Sequence, residues 1–463
     1  MSDVRDLLEE LAEDGEARGA GAVFVAATQR AGQRRRTRRR IGIASALASV
    51  VAIVVVVSLL AQSTGVHNRV GVEPGATTTT VASATAARLA AGDWSTFPPA
   101  PNGARSGAAV VWTGKELVVW GGDARSPNGR APSDPRADGA AYDPATGTWR
   151  VLATSLLGPA VGAVAVWMGE EMLIWTGTPS GRQDPDKRGR YTVQLNAAAY
   201  KPSTDSWRAI AAAPFTATIG VWTGDRAVVL GGRKAASYDP GTNTWHGLPP
   251  MPAHTLAGFR VFPGGVRLAV SIGPGRVLVW STWEATRAIG VNETQISGGS
   301  DVLRYDESTD GWTALRAGPA AIPEPMEAFW TGSRVLVRGD LHMPGAHGPG
   351  PLPEASAWYD PETGRAARLP ADALQRDRFS TSPLTSAWTG RALLSLAMSV
   401  PRGLKTNTSA YDAATGAWRL LPRAPFSCYE SSAVWTGARV LMYCPSTYPA
   451  QAHPVGGLEF TPG

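Results

Sequence analysis

Six times this chain spells a tyrosine, a turn and, with one exception, a tryptophan at a fixed interval: AAYDPATGTW (140–149), AAYKPSTDSW (198–207), ASYDPGTNTW (236–245), LRYDESTDGW (303–312), AWYDPETGRA (357–366) and SAYDAATGAW (409–418). A second unit alternates with it, an apolar run broken by a Thr-Gly step: VVWTGKELVVWGG (110–122), AVWMGEEMLIWTG (165–177), GVWTGDRAVVLGG (220–232), AFWTGSRVLVRG (328–339), SAWTGRALLSLA (386–397) and AVWTGARVLMYC (433–444), with SIGPGRVLVW (271–280) as a degenerate member. Each pair of units reads as two hairpins. Apolar residues alternate into the Thr-Gly turn and out again, and a longer connection leads to the tyrosine strand, an Asp-Pro turn and a strand begun by tryptophan. Asp can accept hydrogen bonds from turn amides, Pro presets φ, Gly takes φ > 0, and the aromatic side chains supply area for packing one sheet on the next. A lone four-stranded sheet cannot bury both faces, so such units must stack on copies of themselves, and stacking in a ring removes the ends.

The last copy has its first unit but ends at LEFTPG (458–463) without a tryptophan strand, while GDWSTFPPAP (92–101) has such a strand and no partner. The strand at Trp94 is therefore expected to close the ring as the outermost strand of the seventh blade. With its Gly121-Gly122 and Gly231-Gly232 doublets, its Tyr-Asp-Pro steps and the tryptophan that follows, the region 92–463 resembles a kelch-type β-propeller, the architecture also seen in the central domain of galactose oxidase. The expected fold class is all-β, a seven-bladed propeller. The 17 Trp, 52 Gly and 36 Pro, with only 18% charged residues, point the same way, to many short strands joined by turns.

The region ahead of the propeller reads differently. Residues 41–61, IGIASALASVVAIVVVVSLLA, carry no charge and are long enough as a helix to cross a bilayer. The preceding RRRTRRR (34–40) places that flank in the cytoplasm by the positive-inside rule, so the propeller is expected outside. A cleaved leader is the competing reading, since Arg38, Arg39 and Arg40 precede the apolar run and ASATA (82–86) could be cut. Within 1–40, DVRDLLEELAED (3–14) has the spacing of a short amphipathic helix, and 62–91 reads as a flexible Thr/Ser/Ala linker. The net charge of +6 is not a nucleic-acid footprint, because half of the excess lies in residues 1–91 rather than on the folded domain.

On the expected ring, the connections between second and third strands are long, at 123–139, 178–196, 281–300 and 340–354, and they gather on one face. Binding groups concentrate on variable loops of a rigid scaffold. Arg125, Arg130, Arg136, Arg182, Lys187, Arg188 and Arg190 crowd these connections in the first two blades, with Asp134, Asp184 and Asp186 between them. They are either solvated groups balancing one another or a site for an anionic ligand or acidic partner. Catalytic constellations are poor. His342 and His347 are close in sequence but lack a third ligand at a defined spacing, and neither a Gly-x-Ser-x-Gly elbow nor a phosphate loop occurs. No metal or cofactor is expected.

The two cysteines flank the last Thr-Gly hairpin. Counting outward from a three-residue turn between Val434 and Ala438 lands Cys428 opposite Cys444, or one step off for a two-residue turn, so a disulfide is expected within the seventh blade. The sequence as a whole predicts a monomeric, membrane-anchored propeller that acts as a binding or sensing module for a protein or glycan ligand; the alternative is an extracytoplasmic oxidase or hydrolase on the same scaffold.

Overall fold

The computed structural model describes residues 92–124, 133–183, 191–290, 293–315, 322, 324–340, 354–370, 385–397, 407–429, 431–448 and 456–462. The helices expected within 1–61 and the linker at 62–91 lie outside these. Among the described residues no helix is long and apolar enough to cross a membrane.

Seven four-stranded antiparallel sheets form a seven-bladed all-β propeller. Blade one consists of Ala109–Trp112, Leu117–Trp120, Gly139–Asp143 and Thr148–Val151, in that order from first strand to fourth. Blades two to six occupy 164–209, 219–247, 260–315, 324–368 and 385–420 in the same order. Blade seven takes Ser432–Trp435, Val440–Tyr443 and Gly457–Thr461 from the C-terminal end and Asp93–Phe97 from the other. Trp94 pairs with Phe460 and Phe97 with Gly457, so the N-terminal strand closes the ring.

The repeated residues have separable jobs. In the first turn the threonine amide donates to the carbonyl three residues on, as from Thr113 to Glu116 (3.0 Å), and its Oγ1 accepts the returning amide of Glu116 (2.8 Å). The following Gly114 sits at φ +88°, where a side chain would be strained. In the second turn the place of Gly147 is taken in three blades by Asp205, Asn243 and Asp310, all at positive φ. Their side chains justify the strain, because each accepts the tyrosine hydroxyl of its own blade, from Tyr200 (2.6 Å), Tyr238 (2.8 Å) and Tyr305 (2.8 Å).

The tryptophan joins blades. Trp207 Nε1 donates to the carbonyl of Ala153 (2.9 Å), Trp245 to Ala211 (3.1 Å), Trp312 to Pro249 (2.9 Å), Trp418 to Pro370 (2.8 Å), Trp94 to Pro422 (2.7 Å) and Trp149 to Pro98 (2.7 Å). Every acceptor lies just beyond the fourth strand of the preceding blade. The six bonds thus run round the ring, and the opening motif recurs because each blade must be fastened to the one before it. The break falls at blade five, where Ala366 replaces the tryptophan; there Glu362 pairs with Arg276 and Arg304 of blade four instead. Aliphatic and aromatic side chains fill the seams between these fastenings, as in the cluster of Ala109, Val111, Trp120, Ile174 and Tyr200 between blades one and two.

Cys428 and Cys444 form a disulfide, as expected, but not as directly opposed residues. The turn between Trp435 and Val440 has four residues, closed by the Thr436 amide on Arg439 O (2.9 Å), because the threonine cap needs that length. The turn is one residue longer and starts one residue later than expected, which moves the register by three, so Cys428 faces Thr447 and the bridge runs diagonally across a Cα–Cα distance of 5.1 Å.

Candidate functional site

Two of the four long connections are not loops. In blade two the second and third strands, Met172–Gln183 and Tyr191–Lys201, stay paired out to Gln183 and Tyr191. In blade four, Arg276–Gly290 and Glu293–Asp306 stay paired out to Gly290 and Glu293, and the first strand, Arg260–Ser271, runs alongside. Thr, Trp, Val and Ile supply the β-propensity that the quoted loop boundaries overlooked. Both hairpins rise on the face that carries the second-to-third connections.

Of the seven basic residues expected there, Arg136 is the one whose side chain is described. It pairs with Asp134, both half-exposed, and its amide donates to Gly122 O (2.9 Å). Arg182 lies on the blade-two strand with its side chain outside the described set, as are Arg125, Arg130, Lys187, Arg188 and Arg190 altogether. The structure therefore brings Arg136 to an acid of its own connection. Nearby Arg105, which the sequence did not single out, is buried and donates to Asp138 O, Asp138 Oδ2 (both 2.8 Å) and Asn102 O (3.0 Å). Burial pushes the Asp138 carboxyl up, but hydrogen bonding and charge from Arg105 outweigh it, and the net shift is downward. These bonds tie the connection between Phe97 and Ala109 to the residue that precedes the third strand of blade one.

A second group on the same face assembles residues distant in sequence. Asp301, opposite Ser281 in the blade-four sheet, bonds His254 Nδ1 at 2.8 Å, and His254 belongs to the connection from blade three. The imidazole lies flat on Trp283, with ring centroids 3.8 Å apart and planes 6° from parallel. Arg233 fixes that connection by donating to Met251 O (3.0 Å) and Pro252 O (2.6 Å). Among the described residues neither His254 Nε2 nor the Trp283 indole N–H has a hydrogen-bond partner; in the tautomer that donates Nδ1–H to Asp301, Nε2 is an acceptor. An acceptor beside a donor suits one hydroxyl group or one water. His254 carries no local sequence signal, since its carboxylate partner lies 47 residues away.

His342 and His347 lie outside the described residues. Among the described residues no three His, Cys, Asp or Glu side chains are grouped to hold a metal ion. No protein-family model matches the chain, and no curated protein matches it.

Proposed function

We propose that this chain is a single-pass membrane protein, with a cytoplasmic N-terminus, that presents a kelch-like propeller outside the cell as a binding or sensing module for a protein or glycan ligand. The observation that carries the reading is the raised hairpin of blade four. With the first strand alongside, it holds Phe262, Ile289 and Ile296 at 42%, 56% and 66% exposure on the long-loop face. Arg260 stacks over Phe262 at 5.0 Å, giving the surface both apolar area and a cation. The Cys428–Cys444 disulfide supports an oxidising, extracytoplasmic location for the propeller. The uncharged run at 41–61 behind RRRTRRR supports the anchor.

The experiment is capture. The soluble 92–463 fragment, immobilised, is exposed to cell-envelope extract and to a glycan panel, beside an Ile296→Asp variant. Specific retention that the variant loses supports the reading; retention that the variant keeps places binding elsewhere.

A second reading, an enzyme, is favoured by the Asp301–His254 pair, in which a carboxylate bonds one imidazole nitrogen, the arrangement that orients a general base. Turnover abolished by His254→Ala would support that reading over the first.

A further inference from the structure

Just beneath the long-loop face, each seam between blades is lined by three register-equivalent residues from either side. Between blades four and five these are Leu268, Trp280 and Val302 against Ala328, Val337 and Ala357, all within one apolar cluster. Between blades five and six the same six places hold Glu327, Arg338 and Ser356 against Ser386, Ser395 and Ser409. All six are buried, Ser395 and Ser409 completely. Glu327 stands opposite Arg338 across the first two strands of blade five. Across the seam, Arg338 donates to Ser386 Oγ and the Ser386 amide donates to Glu327 Oε1 (3.0 Å). Among the described residues Ser395 Oγ has no hydrogen-bond partner. Only the layer nearer the short turns is apolar here, with Leu336, Trp388, Leu393 and Tyr411.

Blade five is also weakly fastened on its other side. It is the blade without the tryptophan and its outer strand is only Ala366–Arg368; in place of the indole bond, Arg276 and Arg304 of blade four pair with Glu362, which is 58% exposed, and Arg304 donates to Pro361 O (3.1 Å), beside the apolar contacts of that seam.

We propose that the ring opens locally and reversibly at the seam between blades five and six. Parting an apolar seam exposes hydrocarbon to water, at a cost that grows with the area exposed. Parting this one returns a carboxylate, a guanidinium and serine hydroxyls to water, which restores hydration they lost on burial. The exchange makes this seam the cheapest of the seven to open, and free energies of local opening below that of global unfolding are how such segments move. The opening lies directly under the long-loop face, so a ligand held there would feel whether blades five and six are together or apart.

Thiol labelling tests this on the full chain. Both native cysteines are in the disulfide, so one introduced thiol is the only reactive group. Ser395→Cys places it in the polar layer, and Val279→Cys and Val229→Cys place it at the equivalent register in two apolar seams. In native buffer Ser395→Cys should be alkylated at least about tenfold faster than either, at a rate unchanged by low denaturant, as local opening requires. Adding Glu327→Leu and Arg338→Trp, the residues blade four carries at those places, should slow it. Equal labelling at all three sites, or a Ser395→Cys rate that rises with denaturant as global unfolding does, would overturn the proposal whether or not the combined variant folds.

Discussion

Replacing Trp207 with Phe removes one fastening between blades and little else. The indole N–H that donates to Ala153 O at 2.9 Å is lost, while a ring remains beside Tyr200 and Trp120, whose centroids lie 4.9 and 6.1 Å from that of Trp207. A net intramolecular hydrogen bond contributes about 1 kcal/mol, and the part-buried Ala153 carbonyl left behind adds to the loss. The smaller ring forfeits a further fraction of a kilocalorie in buried area. The expected cost is about 1–2 kcal/mol, which for a domain of this size lowers the melting temperature by about 1–3 °C. Trp207→Ala, which also strips the contacts with Tyr200 and Trp120, should cost clearly more. Differential scanning calorimetry of the 92–463 fragment reads all three proteins. If Trp207→Phe melts with the parent while Trp207→Ala does not, the tryptophan is there for packing alone and the fastening account fails.

Removing residues 92–97 should leave Gly457–Thr461 as an unpaired edge and uncover Phe460 and Leu458, so the shortened domain should aggregate or melt well below the parent; equal melting would refute closure by that strand. Replacing both Cys428 and Cys444 with Ser should cost at most about 3 kcal/mol in urea unfolding, because the bridge spans a separation of only 16 residues. Burial, foremost, raises the hydroxyls of Tyr142, Tyr200, Tyr238, Tyr305 and Tyr359, and it pushes Tyr443 up to about 12. A raised folded value favours the protonated fold, so the stability these groups contribute is intact below their ordinary value of 10.0 and is lost as pH climbs from there through about 12. Tyrosinate absorbance of the folded domain near pH 11 should therefore fall well short of ten ionised tyrosines, and full ionisation at that pH in a still-folded domain would contradict the burial described.

What could be read from the sequence was whatever the repeat encodes locally. The Thr-Gly and Asp-Pro turns, the tyrosine and tryptophan places and the orphan strand at Trp94 are short-range patterns, and they account for the blade number and the closing pair. The cysteine partners were legible for the same reason, but their register was not, because it depends on both where the threonine turn begins and how many residues it closes. The raised hairpins of blades two and four were hidden by polar residues within long strands, such as Thr282, Glu284 and Thr286, which break the apolar alternation that the repeat shows elsewhere. The polar seam left a trace that went unread: Arg338 stands in VLVRG at the place that Trp120, Trp175 and Trp280 hold in other copies. The His254–Asp301 pair left none, since it depends on how a connection from blade three lies over blade four.

We propose that ligand binds on the raised hairpins of the long-loop face rather than on the rim or the short-turn face. The direct measurement is binding by the 92–463 fragment in which the blade-two and blade-four hairpins are cut back, separately, to the length of the blade-three turn at Gly231–Lys234, with the melting temperature followed in parallel. The account predicts that at least one shortened protein melts with the parent and no longer retains the captured partner or glycan. Undiminished retention by both shortened proteins, each still folded, would contradict it.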